Sequence, residues 1–307
     1  MYVYSSEMPF SKKVLYYREF NTKEQLILSK TNIIFPSENE ENHAEFYRIL
    51  KKILENCTEN KEDLKDINLI EFFLYAIKIR NISIGDELKL ILNENNKNIT
   101  ITLNLNNLMI SIYQHFNSIF KEKISYKNIE CKLDIPNFKS DGLYFNTDKK
   151  LYDYPFYEFI SKLYVENSLI EFSQLNSNEK NNLYEKFPVT LKSKIEASIY
   201  DMLKSTSDIN FFKISRLDSL KLNFFNSSIP YFLRLLFSFG DLRNIYQEYY
   251  MLASKNINPQ YVDNLSISDR RVFFSFIEEE MEYRNQNAQE STSQSTNLQD
   301  LMLEYGG

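Results

Sequence analysis

The run from Asn68 to Leu92, NLIEFFLYAIKIRNISIGDELKLIL, constrains this fold more than any other stretch. Its first half is apolar on nearly every side: Leu69, Ile70, Phe72, Phe73, Leu74, Ala76, Ile77 and Ile79. Glu71, Tyr75 and Lys78 recur at i, i+4 and i+7, which predicts one narrow polar stripe on an otherwise apolar helix. A helix so patterned must be surrounded by other elements. Asn68 with Glu71 three residues on has the form of a capping box, so the helix begins there. Gly85 marks its end, where the backbone needs positive φ. Glu87 to Leu92 then alternates polar and apolar, the signature of a half-buried strand. The spacing thus predicts a central helix turning at Gly85 into a sheet.

Glycine is scarce. Of five in 307 residues, only Gly85, Gly142 and Gly240 lie inside the chain. Phosphate-binding loops and dinucleotide folds need several glycines close together for backbone amides to approach phosphate, so both are excluded. The net charge of −6 argues against general nucleic-acid binding, which needs clustered Lys and Arg. With no signal-peptide pattern and no apolar run near 18 residues, no membrane segment is expected. Cys57 and Cys131, the only cysteines, are expected as reduced thiols in a cytosolic protein.

The expected fold class is α+β. An N-terminal small sheet, a strand plus a β-hairpin, packs with helices. A mostly helical half and a disordered tail follow. After a loose arm, Met1 to Phe10, a strand is predicted over Lys12 to Tyr17. Thr22 and Gln25 form a capping box for a helix over Lys23 to Thr31. Pro36 and the acidic run Ser37 to Glu41 read as a loop, and Glu45 to Glu55 as an amphipathic helix. Two alternating runs, Glu87 to Leu92 and Ile99 to Leu105, flank the polar loop NENNKN and predict a β-hairpin. Leu108 to Phe120 reads as a helix, and Asn128 to Ile135 as a strand.

Beyond Tyr152, helices are expected over Pro155 to Val165, Asn178 to Lys186 and Val189 to Ser205. Ile209 to Phe225 is ambiguous between strand and helix. Ser228 and Pro230 open a helix that breaks at Phe239-Gly240-Asp241. Leu242 to Ser254 and a short turn from Asn258-Pro259 follow. Ser266 caps a last helix to about Arg284. From Asn285 the Gln, Asn, Ser and Thr composition predicts a flexible linker. Three regions result: an α+β domain over 1–140, a helical domain over 150–284, and a tail over 285–307. In the tail, Leu298, Leu301, Met302 and Tyr305 fall on one helical face and are the candidate partner-binding residues. That face has two readings, a tethered motif for a partner's groove or a segment folding back onto its own domain.

Candidate chemistry is sparse. His43 and His115, the only histidines, have no second ligand at metal spacing. No G-x-S-x-G elbow exists, and Cys57 reads as a small buried hydrophobe. Glu278, Glu279, Glu280 and Glu282 form a solvated helix face or an acidic patch for a basic partner. Tyr246, Tyr249 and Tyr250, in an acidic chain, read as core rather than as a stacking platform. No catalytic residue, metal ligand or cofactor-binding residue is assigned. A carboxylate-dependent hydrolase is the distant alternative.

KKVLYYREFNTKEQLILSK, with Tyr17, Arg18, Phe20, Lys23 and Glu24, resembles the opening of the T4-type bacteriophage baseplate hub assembly proteins. There a strand runs into a Tyr-Arg-x-Phe pattern and a Lys-Glu pair opens a helix. Arg80, Ser83, Ile84 and Gly85 resemble that family's helix-ending Arg and its Ser-(Ile/Val)-Gly turn. CKLDIPNF resembles the strand and proline after its hairpin, and VDNLSISDRRVFFSFIEEE a late helical stretch. Glu19 stands where the family often has proline.

The resemblance covers residues 10–140 best. It implies a late phage protein needed to assemble the hub of a contractile tail, without enzyme activity, metal or cofactor. Its partners would be other baseplate hub or tape-measure proteins, with no nucleic acid or membrane. It would work in the host cytoplasm during assembly or in the virion tail. A chaperone for the tape measure and a structural hub component are the alternatives. For Arg18 and Glu24 an intramolecular ion pair is expected rather than a partner contact.

Overall fold

The computed structural model describes residues 4–34, 40–94, 97–119, 123–135, 155–166, 168–207, 233–234, 236–237 and 242–305. The expectations for residues 35–39, 209–225, 228–230 and 239–241 lie outside them. The chain divides into two compact units. One comprises Met1–Phe20 and Glu24–Gly240, the other Asn21–Lys23 and Asp241–Gly307.

The central helix forms as its sequence demands. Helix α3, Leu69–Ser83, starts at Asn68 with a complete capping box: the Asn68 side chain accepts from the Glu71 amide, and Glu71 accepts from the Asn68 amide. These bonds satisfy two donors that a helix start otherwise leaves open. The helix ends at Ile84, and Gly85 follows at φ +124°. Phe72, Phe73, Tyr75, Ala76 and Ile77 are all buried, each large apolar side chain contributing about 1.5–3 kcal/mol.

Around α3 stand its neighbours in sequence. Strands β1, Tyr4–Glu7, and β2, Val14–Tyr17, form an antiparallel hairpin. Helices α1, Thr22–Ile34, and α2, Glu40–Cys57, follow. Phe46, Leu50, Ile53 and Leu54 are the buried face of α2, and Tyr47 meets Phe72 edge-on at 5.8 Å. Beyond Gly85, β3, Glu87–Glu94, pairs antiparallel with β4, Lys97–Asn104, placing Leu88 opposite Leu103, both buried. Helix α4, Leu105–Ile119, buries Leu105, Leu108, Ile112 and Phe116, the i, i+3, i+7, i+11 positions of one face.

A four-stranded antiparallel sheet then forms in simple sequence order: β5, Lys123–Tyr126, β6, Ile129–Leu133, β7, Ile160–Val165, and β8, Ser168–Ile170. Helices α5, Ser177–Glu185, and α6, Val189–Ser207, complete what is described of this unit to residue 207. Leu191, Ile195 and Ile199 are the buried face of α6. The second unit holds α7, Leu242–Ser254, α8, Pro259–Asn264, and α9, Ile267–Tyr305. Leu252, Val262 and Ile277 form its core. The Asp269 amide donates to Ser266 Oγ, the cap expected from sequence.

Several expectations are corrected. Within the expected loose arm, Tyr4–Glu7 is strand β1, because β2 offers it a full ladder from Tyr4↔Tyr17 to Glu7↔Val14. The helix expected over Pro155 to Val165 is one 3₁₀ turn, Phe156–Phe159, and then β7. Short apolar runs fit both periods, and here β6 supplies the partner that decides the matter. The same pairing joins residues 129–133 to 160–165, so one sheet crosses the boundary expected near 140–150. The narrow polar stripe of α3 is itself enclosed: Glu71 and Tyr75 are fully buried and Lys78 half-buried. The helical backbone of α9 runs on through the Gln/Ser/Thr-rich stretch to Tyr305. Extending an established helix needs no new nucleus.

Candidate functional site

The sequence-predicted motif residues do internal work. Tyr17 is buried, stacked on Tyr4 at 6.0 Å and edge-on to Tyr75 at 5.4 Å. Arg18 forks onto Glu24, with Nη1 to Oε2 at 2.8 Å and Nη2 to Oε1 at 2.7 Å. It also donates to the Glu19 and Asn56 carbonyls. Glu24 is buried, so this two-pronged pair fixes the turn from β2 into α1 and meets the end of α2. The Cys57 thiol donates to Glu24 at 3.6 Å, and burial followed by the Glu24 charge pushes its pKa well up. Cys57 is therefore a thiol rather than a poised thiolate. Lys23 is exposed at the start of α1.

Arg80 and Ser83 close the other end of α3. The Arg80 guanidinium donates to three carbonyls: Leu236 at 2.8 Å, Glu87 at 3.0 Å, and Gly85. Burial draws its pKa down to about 10, and the Asp86 charge works the other way, so it stays cationic at neutral pH. The Ser83 hydroxyl donates to the Ile79 carbonyl at 2.7 Å and accepts from the Phe20 amide at 3.0 Å. Phe20, fully buried, meets Phe237 edge-on at 5.6 Å. Thus one motif's Phe20 is tied to the other motif's Ser83 across 63 residues of chain.

Sequence reasoning missed a cleft of about 480 Å³ at the start of α3. Its charged walls are Glu71, Asp134, Glu158 and Lys180, with Lys13, Lys132 and Lys162 beside them. Glu71 Oε1 accepts from the Phe10 amide at 2.8 Å, the Ser11 amide at 2.7 Å and the Ser11 hydroxyl at 3.1 Å. Oε2 accepts from Asn68. Glu158, buried, accepts from Lys180 Nζ at 2.7 Å and from Ser177 at 2.8 Å. Asp134 differs. Burial pushes its carboxyl up to about 6, opposed by the Ile135 amide and Lys132 and reinforced by Glu71. The capping box was the one visible signal here; the acids of 134 and 158 are joined to it only by strand pairing.

In the second unit Tyr249 is a core residue, half-buried against the Leu252 cluster, its hydroxyl donating to Asp263. Tyr246 and Tyr250 are not: they are 46% and 77% exposed, which corrects the core reading for both. They line an open groove of about 760 Å³ with Met251 and Phe274. Glu278, Glu279 and Glu282 are exposed, while Glu280 pairs with Lys255 and Arg284. Leu298, Leu301, Met302 and Tyr305 lie on the helical backbone of α9, with side chains outside the described set. The His43 side chain is likewise outside it. His115 stands in α4, edge-on to Phe116, its pKa lowered by burial. Among the described residues no three His, Cys, Asp or Glu are placed to hold a metal ion, and no helix is long and apolar enough to cross a membrane.

The motif residues and the cleft lie within the region that a known family covers. A model described as T4 bacteriophage base plate protein matches residues 1–212. Neither a curated protein nor a solved structure matches the chain. The match takes in 212 of the 307 residues, and the chain belongs to the T4 bacteriophage base plate protein family.

Proposed function

We propose that this chain, a baseplate-family protein with a structural or assembly role, is an assembly factor for the hub of a contractile tail. It acts by contacts with other hub or tape-measure proteins and carries out no catalysis. The family match over residues 1–212 carries the reading. The occupancy of two of the cleft's three acids, Glu71 and Glu158, supports its non-catalytic part. Both oxygens of Glu71 and both of Glu158 accept hydrogen bonds from the protein itself, which leaves neither poised as a free base. The C-terminal residues Leu298, Leu301, Met302 and Tyr305 would add a second contact, and linking two weak contacts raises effective concentration. A permanent structural hub component is the second reading, favoured by the family's description as a base plate protein.

Quantitative mass spectrometry of purified particles separates the two. Absence from particles, with capture of hub proteins from infected cells, fits an assembly factor; stoichiometric presence fits the structural reading. Deletion of residues 298–307 is expected to leave the melting temperature unchanged and to weaken capture. A sharp fall in melting temperature would make this segment part of the fold instead.

A further inference from the structure

Helix α9 has two apolar faces. One packs inward through Phe273 and Ile277 onto the Leu252–Val262 core. The other carries Val272, Phe276 and Tyr283, which are 52%, 59% and 66% exposed. At 100° per residue these three fall within about 40° of one another, so they share one face, with Glu279 standing at its edge between Phe276 and Tyr283. Glu279 and Glu282, both exposed, border it on one side, and Asp269 on the other. From Asp269 to Arg284, the span of the stripe, there are five carboxylates and three arginines, and Glu280 is paired with Lys255 and Arg284 while Glu279 and Glu282 stand exposed.

We propose that this outer face of α9 is a docking surface for a partner's basic amphipathic helix. The partner's apolar side chains would lie on Val272, Phe276 and Tyr283, and its Lys and Arg would pair with Glu279 and Glu282. The charge selects this occupant. A second copy would set Asp269, Glu279 and Glu282 against their equals, and like charges set against one another cost affinity. An apolar but neutral helix would bury the stripe and leave the bordering carboxylates unpaired. This inference deepens the assembly reading and rests on it for the kind of partner.

The test uses the full chain and two labelled helical peptides of about 20 residues with the same leucine stripe, one flanked by lysines and one by glutamates. Anisotropy titration should show the lysine peptide binding and the glutamate peptide not. Glu279→Lys/Glu282→Lys should weaken the lysine peptide about tenfold and admit the glutamate peptide. Phe276→Ser should weaken the lysine peptide comparably, with an unchanged circular dichroism melt because the side chain is exposed. Equal binding of both peptides, or of neither, overturns the proposal. So does a dimer in sedimentation that Phe276→Ser dissolves, since a second copy would then cover the face. If hub proteins are captured from infected cells equally by wild type and the charge-reversed chain, this face is wrong and the assembly role stands.

Discussion

Glu71 reaches across 60 residues of chain to Ser11, taking its amide at 2.7 Å and its hydroxyl at 3.1 Å on one carboxylate oxygen. The other oxygen caps Glu71's own helix through Asn68. One side chain thus joins the β1–β2 turn to the start of the central helix. Glu71→Ala leaves the Phe10, Ser11 and Asn68 amides without this acceptor. It should destabilise the protein by about 3 kcal/mol, read from the urea midpoint. Hydrogen exchange at Phe10 and Ser11 should quicken in step. A loss below about 1 kcal/mol would show that water replaces the carboxylate.

Asp134 sets a pH dependence of unusual sign. Its folded pKa is about 6, raised from 3.8 mainly by burial. The folded state therefore holds its proton more tightly than the unfolded state does. This contribution favours folding below pH 4, fades as pH rises through 6, and above that leaves a net penalty. Most carboxylates act oppositely, so the measurement is a difference. Asp134→Asn should gain up to about 2 kcal/mol relative to wild type between pH 4 and 7. A constant difference across that range would refute the assignment.

The Glu158–Lys180 pair is buried on both sides, at 2.7 Å. Lys180→Met should cost about 3–5 kcal/mol, because Glu158 is left buried with only Ser177. Replacing both, Lys180→Met with Glu158→Leu, should cost less than the single change. The order of the two denaturation midpoints is the check.

Arg80→Lys keeps the charge and loses the fork. One ammonium cannot reach the Leu236, Gly85 and Glu87 carbonyls together, so about 2–3 kcal/mol should go. If thermal melts of the Lys variant match wild type, the three-carbonyl arrangement does not hold α3 in place.

Local chemistry was enough to read α3, its Asn68–Glu71 cap, the Gly85 turn, the β3–β4 hairpin and the α5 and α6 helices. Each depends on residues only a few positions apart, where periodicity, capping and positive φ act directly. Pairing between distant segments decided what sequence left open or got wrong. Strand β7 exists because β6 lies beside it, and β1 because β2 does. The polar stripe of α3 is legible in sequence, but its partners are not: Tyr75 bonds Thr58 at 2.7 Å, Lys78 reaches Ser6, and Glu71 holds the 10–11 turn. A side chain's polarity tells that it needs a partner; whether that partner is water or protein is settled only when the chain folds back on itself.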